Sequence, residues 1–523
     1  MADGETGDEN VGSVTGVFRE RRRKIREEMG GAERIARLHD RGALTARERI
    51  DRFLDPDSFI ELGTFARSER PEDAANSPGD GKIGGYGTVD GRTVWVGGDD
   101  LTVKRGSSSV VGSRKKTRML QQAVEHGHPF VFFAETGGAR IPDTLGSEGF
   151  VKVTPSVETH RRNRSIPLAT AILGNCFGGG TFQGAFSDFV VQLRGSCMAV
   201  TSPRVVEIAT GEKISFEALG GTEVHEKVTG MIDRVAETED EAFQLIRDFL
   251  SYLPSNAWEL PPEHDWPGLA DVDETIYDLV PMRRTRAYDM RRVLRYLADD
   301  DRIFELKPRF GGSIITALSR MGGRTVGFVA SQPLHYAGAL SPGACDKITA
   351  FICLCDAFNI PLVFLQDVPG FMVGSKVEHD RLLSRAIMMV EALSICRVPR
   401  ISLVFRKAFG LAYFAMGGTN MGSDVVTAWP SAELSFMDPD VGVNVVHGGR
   451  LEQAEDAAAE RAALIEQWTE DTDPYDGAGI LGVDEIVDPA ETKRWLQSQI
   501  RRLRVKPKPW GQPNPLAYWP TCY

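Results

Sequence analysis

Three consecutive glycines, Gly178-Gly179-Gly180, follow an apolar segment and precede a segment compatible with a helix. Backbone amides at the start of a helix lack an intrahelical acceptor and lie at the positive end of the helix dipole. They can therefore stabilise a developing oxyanion, and glycine lets a ligand carbonyl approach without obstruction from a Cβ. A tight turn without any ligand explains a triple glycine equally well, so this motif alone does not establish an oxyanion-binding site.

A second turn in the same register favours the chemical interpretation. Residues 129–138 align without gaps with residues 361–370, an offset of 232, and the same offset places residues 177–180 on Phe409-Gly410-Leu411-Ala412. The chain therefore contains a duplicated unit. Two equivalent anion-stabilising turns predict two carbonyl-bearing ligands, held in a cleft between related surfaces.

The segments around these turns predict the elements that position them. Residues 115–125 have a helical pattern, the apolar run 129–133 indicates a buried strand, and Thr136-Gly137-Gly138 follows as a turn. Residues 166–173 indicate the next buried strand, and residues 174–180 open a further helix. Helix, buried strand and glycine turn in this order are typical of a parallel α/β unit.

The remaining segments frame the duplicated unit. Residues 1–15 indicate a solvated tail, residues 19–53 one highly charged helix, and residues 238–253 an amphipathic helix. Between residues 254 and 268 the composition shifts to proline, tryptophan and acidic residues, which predicts a domain boundary. From residue 506 onward the prolines predict an irregular tail.

Size and composition agree with two domains. A chain of 523 residues exceeds what one hydrophobic core usually holds, and 42% hydrophobic residues are ample for two cores. We expect one domain over residues 1–265 and a second over residues 266–523. Their fold class is predicted to be α/β.

Charge and cysteine content exclude several functions. The net charge of −12 argues against a nucleic-acid partner, which needs a clustered basic face. The seven cysteines are scattered, so a disulfide framework or zinc ribbon is not expected, and the histidines lack metal-ligand spacing. The sequence has neither an apolar run of about 18 residues nor a signal-peptide pattern, so we expect a cytoplasmic protein without a membrane segment.

Several motifs together resemble one family. They are Leu44-Thr45-Ala46-Arg47-Glu48-Arg49-Ile50, Gly137-Gly138-Ala139-Arg140-Ile141, Cys355-Asp356-Ala357-Phe358-Asn359-Ile360-Pro361 and Asp367-Val368-Pro369-Gly370-Phe371. With them the chain resembles the biotin-dependent carboxyltransferases, the β subunits of acyl-CoA carboxylases such as propionyl-CoA carboxylase, from about residue 35 to the region of Lys493.

The resemblance implies a fold, an assembly and a reaction. It implies two duplicated crotonase-like domains and an active site where the N-terminal domain of one subunit faces the C-terminal domain of another. Acyl-CoA binds on the N-terminal side and carboxybiotin on the C-terminal side, and a hexamer is implied. Biotin and its carboxylation come from a partner α subunit, since this sequence has neither a Met-Lys biotin attachment site nor a phosphate-cradling motif for ATP.

The resemblance also implies residue roles, with the catalytic ones falling on backbone amides. Those of Gly178 and Gly179 would hold the thioester enolate oxygen, and those of Leu411 and Ala412 the biotin ureido oxygen. Gly410 and Phe371 lie on the biotin side.

Further residues are predicted to bind the acyl-CoA. Phe414 matches the family's acyl-pocket selector, although a core aromatic explains it as well. The basic run Arg114-Lys115-Lys116, with Lys115 as its predicted binding residue, and the small residues Ser107 and Ser108 could meet the phosphates of coenzyme A, unless the run is a solvated surface. Arg140 has either a pocket role or a structural one, such as pairing with Glu135.

Two alternative functions stay open. Residues 374–381 and 384–388 depart from the family where it lines the approach of biotin, which allows a decarboxylation or another crotonase-type reaction on a CoA thioester without biotin. The third hypothesis is a non-catalytic β paralogue that scaffolds a carboxylase complex. The identity of the acyl chain does not follow from the sequence.

Overall fold

The structure is a computed structural model that describes residues 6–153 and 163–521. Its strands form two eight-stranded sheets. The first sheet contains β1 (Ile60–Glu61), β2 (Lys82–Val89), β3 (Arg92–Asp99), β4 (Phe130–Thr136), β5 (Leu168–Phe177), β6 (Phe189–Leu193), β7 (Met198–Ala199) and β8 (Arg234–Ala236). The second contains β9 (Ile303–Leu306), β10 (Ile314–Met321), β11 (Arg324–Ser331), β12 (Leu362–Val368), β13 (Arg400–Phe409), β14 (Val425–Ala428), β15 (Glu433–Ser435) and β16 (Glu485–Ile486).

Both sheets have the same topology. In the first the order is β1-β2-β3-β4-β5-β6-β8, with β7 paired to β5, and in the second it is β9-β10-β11-β12-β13-β14-β16, with β15 paired to β13. The first three strands of each sheet pair antiparallel and the later ones parallel. The predicted α/β class is confirmed.

Helices cover these sheets and connect their strands. Those used below are α1 (Thr6–Glu28), α2 (Ala32–His39), α3 (Ala46–Phe53), α4 (Val110–His126), α5 (Gly179–Phe186), α6 (Glu239–Tyr252), α7 (Pro342–Ala357), α8 (Ser375–His379), α9 (Leu382–Ile395), α10 (Gly410–Ala415) and α11 (Thr492–Arg502). Shorter or peripheral helices span Pro71–Ala74, Ile141–Thr144, Gly146–Val153, Pro203–Thr210, Phe216–Gly220, Thr222–Val224, Ile276–Leu279, Met290–Leu297, Pro439–Leu451, Ala457–Glu470 and Pro474–Gly479. Among the described helices, none has the length and apolar character that a bilayer crossing requires.

The duplication holds at the level of single hydrogen-bond registers. An offset of 232 residues relates β2 to β10, β3 to β11, β4 to β12 and β5 to β13. The parallel pairing slips between Ala134 and Thr136 in the first sheet and at the equivalent residues 366 and 368 in the second. Even an isolated bridge repeats, between Ser108 and Ala139 and between Leu340 and Phe371.

The two halves share apolar contacts. Phe189 of β6 stacks on Phe249 of α6 with 4.5 Å between ring centroids, and Phe304 of β9 lies 5.4 Å from Phe189. All three rings are buried in one core that includes residues of both sheets. Burial of each such side chain stabilises the fold by about 1.5–3 kcal/mol, so these contacts hold the halves together.

The N-terminal part differs from its predicted structure. Residues 19–53 are not one helix but parts of α1, α2 and α3, and α1 already begins at Thr6, where we expected a solvated tail. The first break lies at Gly30-Gly31: a Cβ on Gly30 would come within 1.9 Å of the Thr102 carbonyl oxygen, and Gly31 has φ 107°. The second break ends at Thr45, which caps α3 through a capping box with Glu48. Charged residues recur across both breaks, so the sequence pattern did not predict where one helix ends and the next begins.

The connecting segment and the tail pack against both halves. Residues 254–275 contain neither helix nor strand, and the predicted boundary segment 254–268 lies within them. The buried Arg164 guanidinium donates to the carbonyl oxygens of Leu516, Ala517 and Trp519, while Asn514 donates to the Asp356 carbonyl oxygen. The irregular tail therefore binds to the first half as well as the second, and the division at residue 265 stays a prediction.

Candidate active site

The first glycine turn connects β5 directly to α5. β5 continues to Phe177, four residues beyond the predicted end of the strand, and Gly178 then has φ 62° and ψ −131°. The Gly178 N–H donates to the Val200 carbonyl oxygen at 3.1 Å, so this amide is not available to a ligand. The N–H groups of Gly179 and Gly180, at the first two positions of α5, donate no hydrogen bond within the described ranges.

The three positions of this turn differ in how strictly they require glycine. Gly178 adopts the left-handed region, which glycine enters without strain. A Cβ on Gly180 would lie 2.5 Å from Thr136 Cγ2 and 2.8 Å from Cys176 Sγ, so its packing requires glycine. A Cβ on Gly179 would meet no atom within 4 Å. The open side of the turn is therefore at Gly179.

The second turn repeats this arrangement in the other half. Gly410 has φ 62°, like Gly178, and begins α10 directly after β13. Leu411 and Ala412 are the register equivalents of Gly179 and Gly180, and their N–H groups are likewise without an acceptor in the part of the chain described here. Ala412 is buried, whereas 64% of the Leu411 surface is exposed. A backbone donor pair is thus present in each half.

A cavity of about 690 Å³ lies beside the first turn, between α4, α5 and the helix Gly146–Val153. Among the predicted residues, Ser108 and Gly179 line it, together with Gly180. Much of its wall is apolar: Leu120, Phe132, Phe150, Phe182 and Phe186. The lining residues that the structure describes all lie between residues 82 and 186, so the described part of the second half contributes nothing to the cavity within one chain.

Lys115 does not reach this cavity. It is buried, and its Nζ donates to the carbonyl oxygens of Gly63 at 3.1 Å and Lys82 at 2.8 Å. Its equivalent Lys347 donates in the same way to Phe310 and to Ile314, the equivalent of Lys82. Burial lowers the pKa of Lys115 to about 8 and that of Lys347 to about 7. Both lysines hold backbone segments together, so the predicted phosphate contact of Lys115 is wrong.

Arg140 and Ser107 also belong to the framework. Arg140 Nη1 forms a buried salt bridge with Asp80 at 2.6 Å, and its Nε donates to Ser107 Oγ at 3.3 Å. Ser107 Oγ in turn donates to the Lys104 carbonyl oxygen. The expected pair between Arg140 and Glu135 is wrong, and neither Arg140 nor Ser107 lines the cavity.

The paired carboxylates at the strand ends form structural ion pairs. Glu135 forms a salt bridge with Arg49 at 2.7 Å, and its equivalent Asp367 forms one with Arg406 at 2.7 Å. Arg49 is itself buried, and burial raises the pKa of Glu135 in spite of this pair. Each ion pair ties the end of a buried strand to a neighbouring element.

On the second half, Phe414 is not a core residue. It is 38% exposed and is equivalent to Phe182, which lines the cavity of the first half. Phe371 is partly buried against the core and bridges to Leu340. We therefore find Phe414 on the open surface beside the second donor pair, on the same short helix as Leu411.

The segment that departs from the family pattern forms α8 and the start of α9. A salt bridge of 3.1 Å between Arg385 and Asp346 connects this segment to α7. Burial raises the pKa of Asp346 to about 6 although the Arg385 charge opposes this shift.

The cations that line the cavity include the two neighbours of Lys115 in the run Arg114-Lys115-Lys116, together with Arg118, which the sequence motifs did not single out. Arg114 and Arg118 lie one turn apart on the exposed side of α4, and Lys116 lies between them in sequence. The i, i+4 spacing of the two arginines was a signal that they share a helix face. None of the three forms a salt bridge in the ranges that the structure covers.

Known proteins match this architecture over nearly its whole length. A family model described as the carboxyl transferase domain matches residues 37–512. The chain is 37% identical to the carboxyltransferase subunit of propionyl-CoA carboxylase from Haloferax mediterranei, over 94% of this chain and 96% of the relative. It is 35% identical to the methylmalonyl-CoA decarboxylase subunit alpha of Veillonella parvula, over 91% of this chain and 93% of the relative.

A solved structure matches equally well. That of transcarboxylase 12S, a hexamer assembly with methylmalonyl-CoA and methylmalonic acid bound, has a TM-score of 0.88 and 34% identity, covering 98% of this chain and 99% of that one. The crotonase-like fold expected for both halves is confirmed. The chain belongs to the carboxyl transferase family and is a carboxyltransferase subunit of the biotin-dependent acyl-CoA carboxylase type.

Proposed function

We propose that the chain transfers a carboxyl group from carboxybiotin, carried by a separate partner subunit, to the α-carbon of an acyl-CoA. The observation that carries this proposal is a pair of backbone donors in each half that have no acceptor in the described part of the chain, Gly179 with Gly180 and Leu411 with Ala412. Negative charge develops on one oxygen of each ligand during the transfer, and preorganised N–H donors stabilise such charge.

The first half holds the acyl-CoA. The N–H groups of Gly179 and Gly180 bind the thioester oxygen and stabilise the enolate that forms when the α-carbon loses its proton. Arg114 and Arg118, exposed at the cavity wall, bind the phosphates of coenzyme A. This replaces Gly178 and Lys115 of the sequence-based hypothesis, whose N–H and ammonium groups are engaged elsewhere.

The second half holds the carboxybiotin, which supplies the carboxyl group when it is bound. The donor set fits it, since the N–H groups of Leu411 and Ala412 have no acceptor among the described residues and a ureido oxygen is an acceptor. Gly410 allows the turn after β13, and Phe371 follows the carboxyl end of the neighbouring parallel strand β12. Phe414 shapes the acyl pocket of the neighbouring subunit.

The active site is completed between subunits. No described residue of the second half lines the cavity of the first half, although the reaction needs both donor pairs. We infer that the N-terminal domain of one subunit faces the C-terminal domain of another, in a hexamer like that described for transcarboxylase 12S. A biotin carboxylase and biotin carrier α subunit is the proposed partner, and the cytoplasm, where acyl-CoA and ATP are available, is the proposed compartment.

Reconstitution tests the proposal. The purified chain is mixed with a biotinylated partner, ATP, labelled bicarbonate and a panel of acyl-CoAs, and labelled carboxyacyl-CoA is measured. We expect label in the acyl-CoA only when chain and partner are both present. Absence of transfer across the whole panel contradicts the proposal.

A decarboxylase is the second candidate. The similarity to the Veillonella parvula decarboxylase subunit and the altered segment 374–388 favour it. Turnover of malonyl- or methylmalonyl-CoA by the chain without any biotin protein would select this function.

A further inference from the structure

Lys116 is an unpaired cation in the wall of the cavity. Its Nζ lies 4.7 Å from the centroid of the Phe132 ring, and it forms neither a hydrogen bond nor a salt bridge within residues 6–153 and 163–521. The side chain is only partly buried, and the residue lines the cavity. Burial lowers its pKa to about 8, because the surroundings disfavour the charged form.

The fold does not require a lysine at this position. The equivalent residue of the second half is Ile348, which is fully buried in the core on α7. The neighbouring position is different, since Lys115 and Lys347 are both lysines with the same structural hydrogen bonds. Lys116 is therefore explained by what enters the first cavity and not by the packing of α4.

The cavity is strongly cationic in a chain whose net charge is −12. Among the described residues, five cations and one carboxylate line it: Lys82, Arg114, Lys116, Arg118 and Lys152, with Asp99. Asp99 is neutralised by Lys82, whose Nζ lies 2.5 Å away, and Lys152 pairs with Glu148. The exposed arginines are positioned for the phosphates, and the Gly179 and Gly180 amides for the thioester oxygen. Lys116 is left without an assigned acceptor.

We propose that Lys116 binds a carboxylate at the far end of the acyl chain, so that the substrate is the CoA thioester of a dicarboxylic acid. This inference rests on the proposed function in placing the acyl-CoA in this cavity. A simple alkyl chain would leave the ammonium desolvated and unpaired among Phe132, Phe182 and Phe186. A terminal carboxylate supplies the missing partner, while the aromatic walls contact the methylene groups before it.

Chain-matched ligands test this inference. Glutaryl-CoA and pentanoyl-CoA have five acyl carbons each and differ in the terminal carboxylate. Their equilibrium binding to the purified chain is measured by calorimetry, and carboxylation with the biotinylated partner is measured in parallel. We expect glutaryl-CoA to bind more tightly, and Lys116→Met to weaken it by about ten- to a hundred-fold while leaving pentanoyl-CoA unchanged or tighter. Lys116→Arg should keep most of the preference.

Arg114→Met is the matched control, because it removes a cation of the same cavity on the phosphate side. It should weaken both ligands equally. Equal weakening of both ligands by Lys116→Met, or equal affinity of the wild-type chain for both, overturns the inference. If the binding preference appears but no acyl-CoA is carboxylated, the inference holds and the proposed carboxyl transfer fails.

Discussion

At the scale of residues, the catalytic capacity of this chain depends on which N–H groups are already used. Gly178 gives its N–H to Val200, and Gly180 is required by the packing of Thr136 and Cys176. The Gly179 N–H has no acceptor among the described residues, and a Cβ at this position would meet no atom within 4 Å. The donor can therefore be removed at Gly179 without disturbing the fold.

Gly179→Pro should remove the donor selectively. Proline is favoured at the first helical position, which Gly179 occupies, and ψ −131° at Gly178 lies outside the α region that a following proline disfavours. We expect kcat to fall by about 10²–10³, measured as carboxyl transfer, with an unchanged thermal midpoint. Gly179→Ala keeps the N–H and should lose far less. A fully active Gly179→Pro enzyme would contradict the assignment.

The buried lysines predict a pH dependence of stability. The pKa of Lys347 is lowered from 10.5 to about 7, so between these values the unfolded chain binds a proton that the folded chain lacks. The contribution of this group to stability therefore rises with pH, by about 1.4 kcal/mol per unit. The wild-type urea midpoint should move upward relative to that of Lys347→Met between roughly pH 7 and pH 10. If the difference between the two urea midpoints stays constant with pH, Lys347 remains charged in the folded chain.

At the scale of elements, α3 connects three parts of the first half. Its capping box at Thr45 sets where the helix begins, and this places Arg49 one turn later, facing the sheet. Arg49 contacts Glu135 at the end of β4 and Glu239 at the start of α6, each at 2.7 Å. The position of the strand end that leads to the cavity thus depends on a helix far away in the sequence.

Arg49→Met should destabilise the chain by about 3–5 kcal/mol, because it leaves two buried carboxylates unpaired. Arg49→Met combined with Glu239→Gln should recover part of this loss, as judged from urea midpoints. Arg52→Met is the control on the same helix: its pair with Asp240 is exposed, so it should cost less than about 1 kcal/mol. Similar effects of the two arginines would exclude a special role for the buried network.

At the scale of the whole molecule, duplication has produced two donor pairs in one chain. They belong to different sheets, and the first cavity is lined by the first half alone. One chain can therefore present each surface but needs a second copy to oppose them.

Complementation between inactive subunits tests this arrangement. Gly179→Pro disables the acyl side, and Leu411→Pro removes a donor of the biotin side within the first turn of α10, where proline is tolerated. Each variant alone should lose most of its activity. Mixed oligomers made by co-expression should regain activity, because some sites then combine two intact halves. If co-expression restores nothing, the site does not lie between subunits.

The sequence by itself determined the duplication, the α/β class, the two glycine turns and the family, because strands, turns and motifs are encoded in neighbouring residues. It did not determine which members of each motif face a ligand. The Gly178 N–H donates to the Val200 carbonyl oxygen. Lys115 donates to the backbone of β2, whereas Lys116, about 100° around the same helix, lines the cavity. These assignments depend on partners from distant segments, which come together only when the chain has folded.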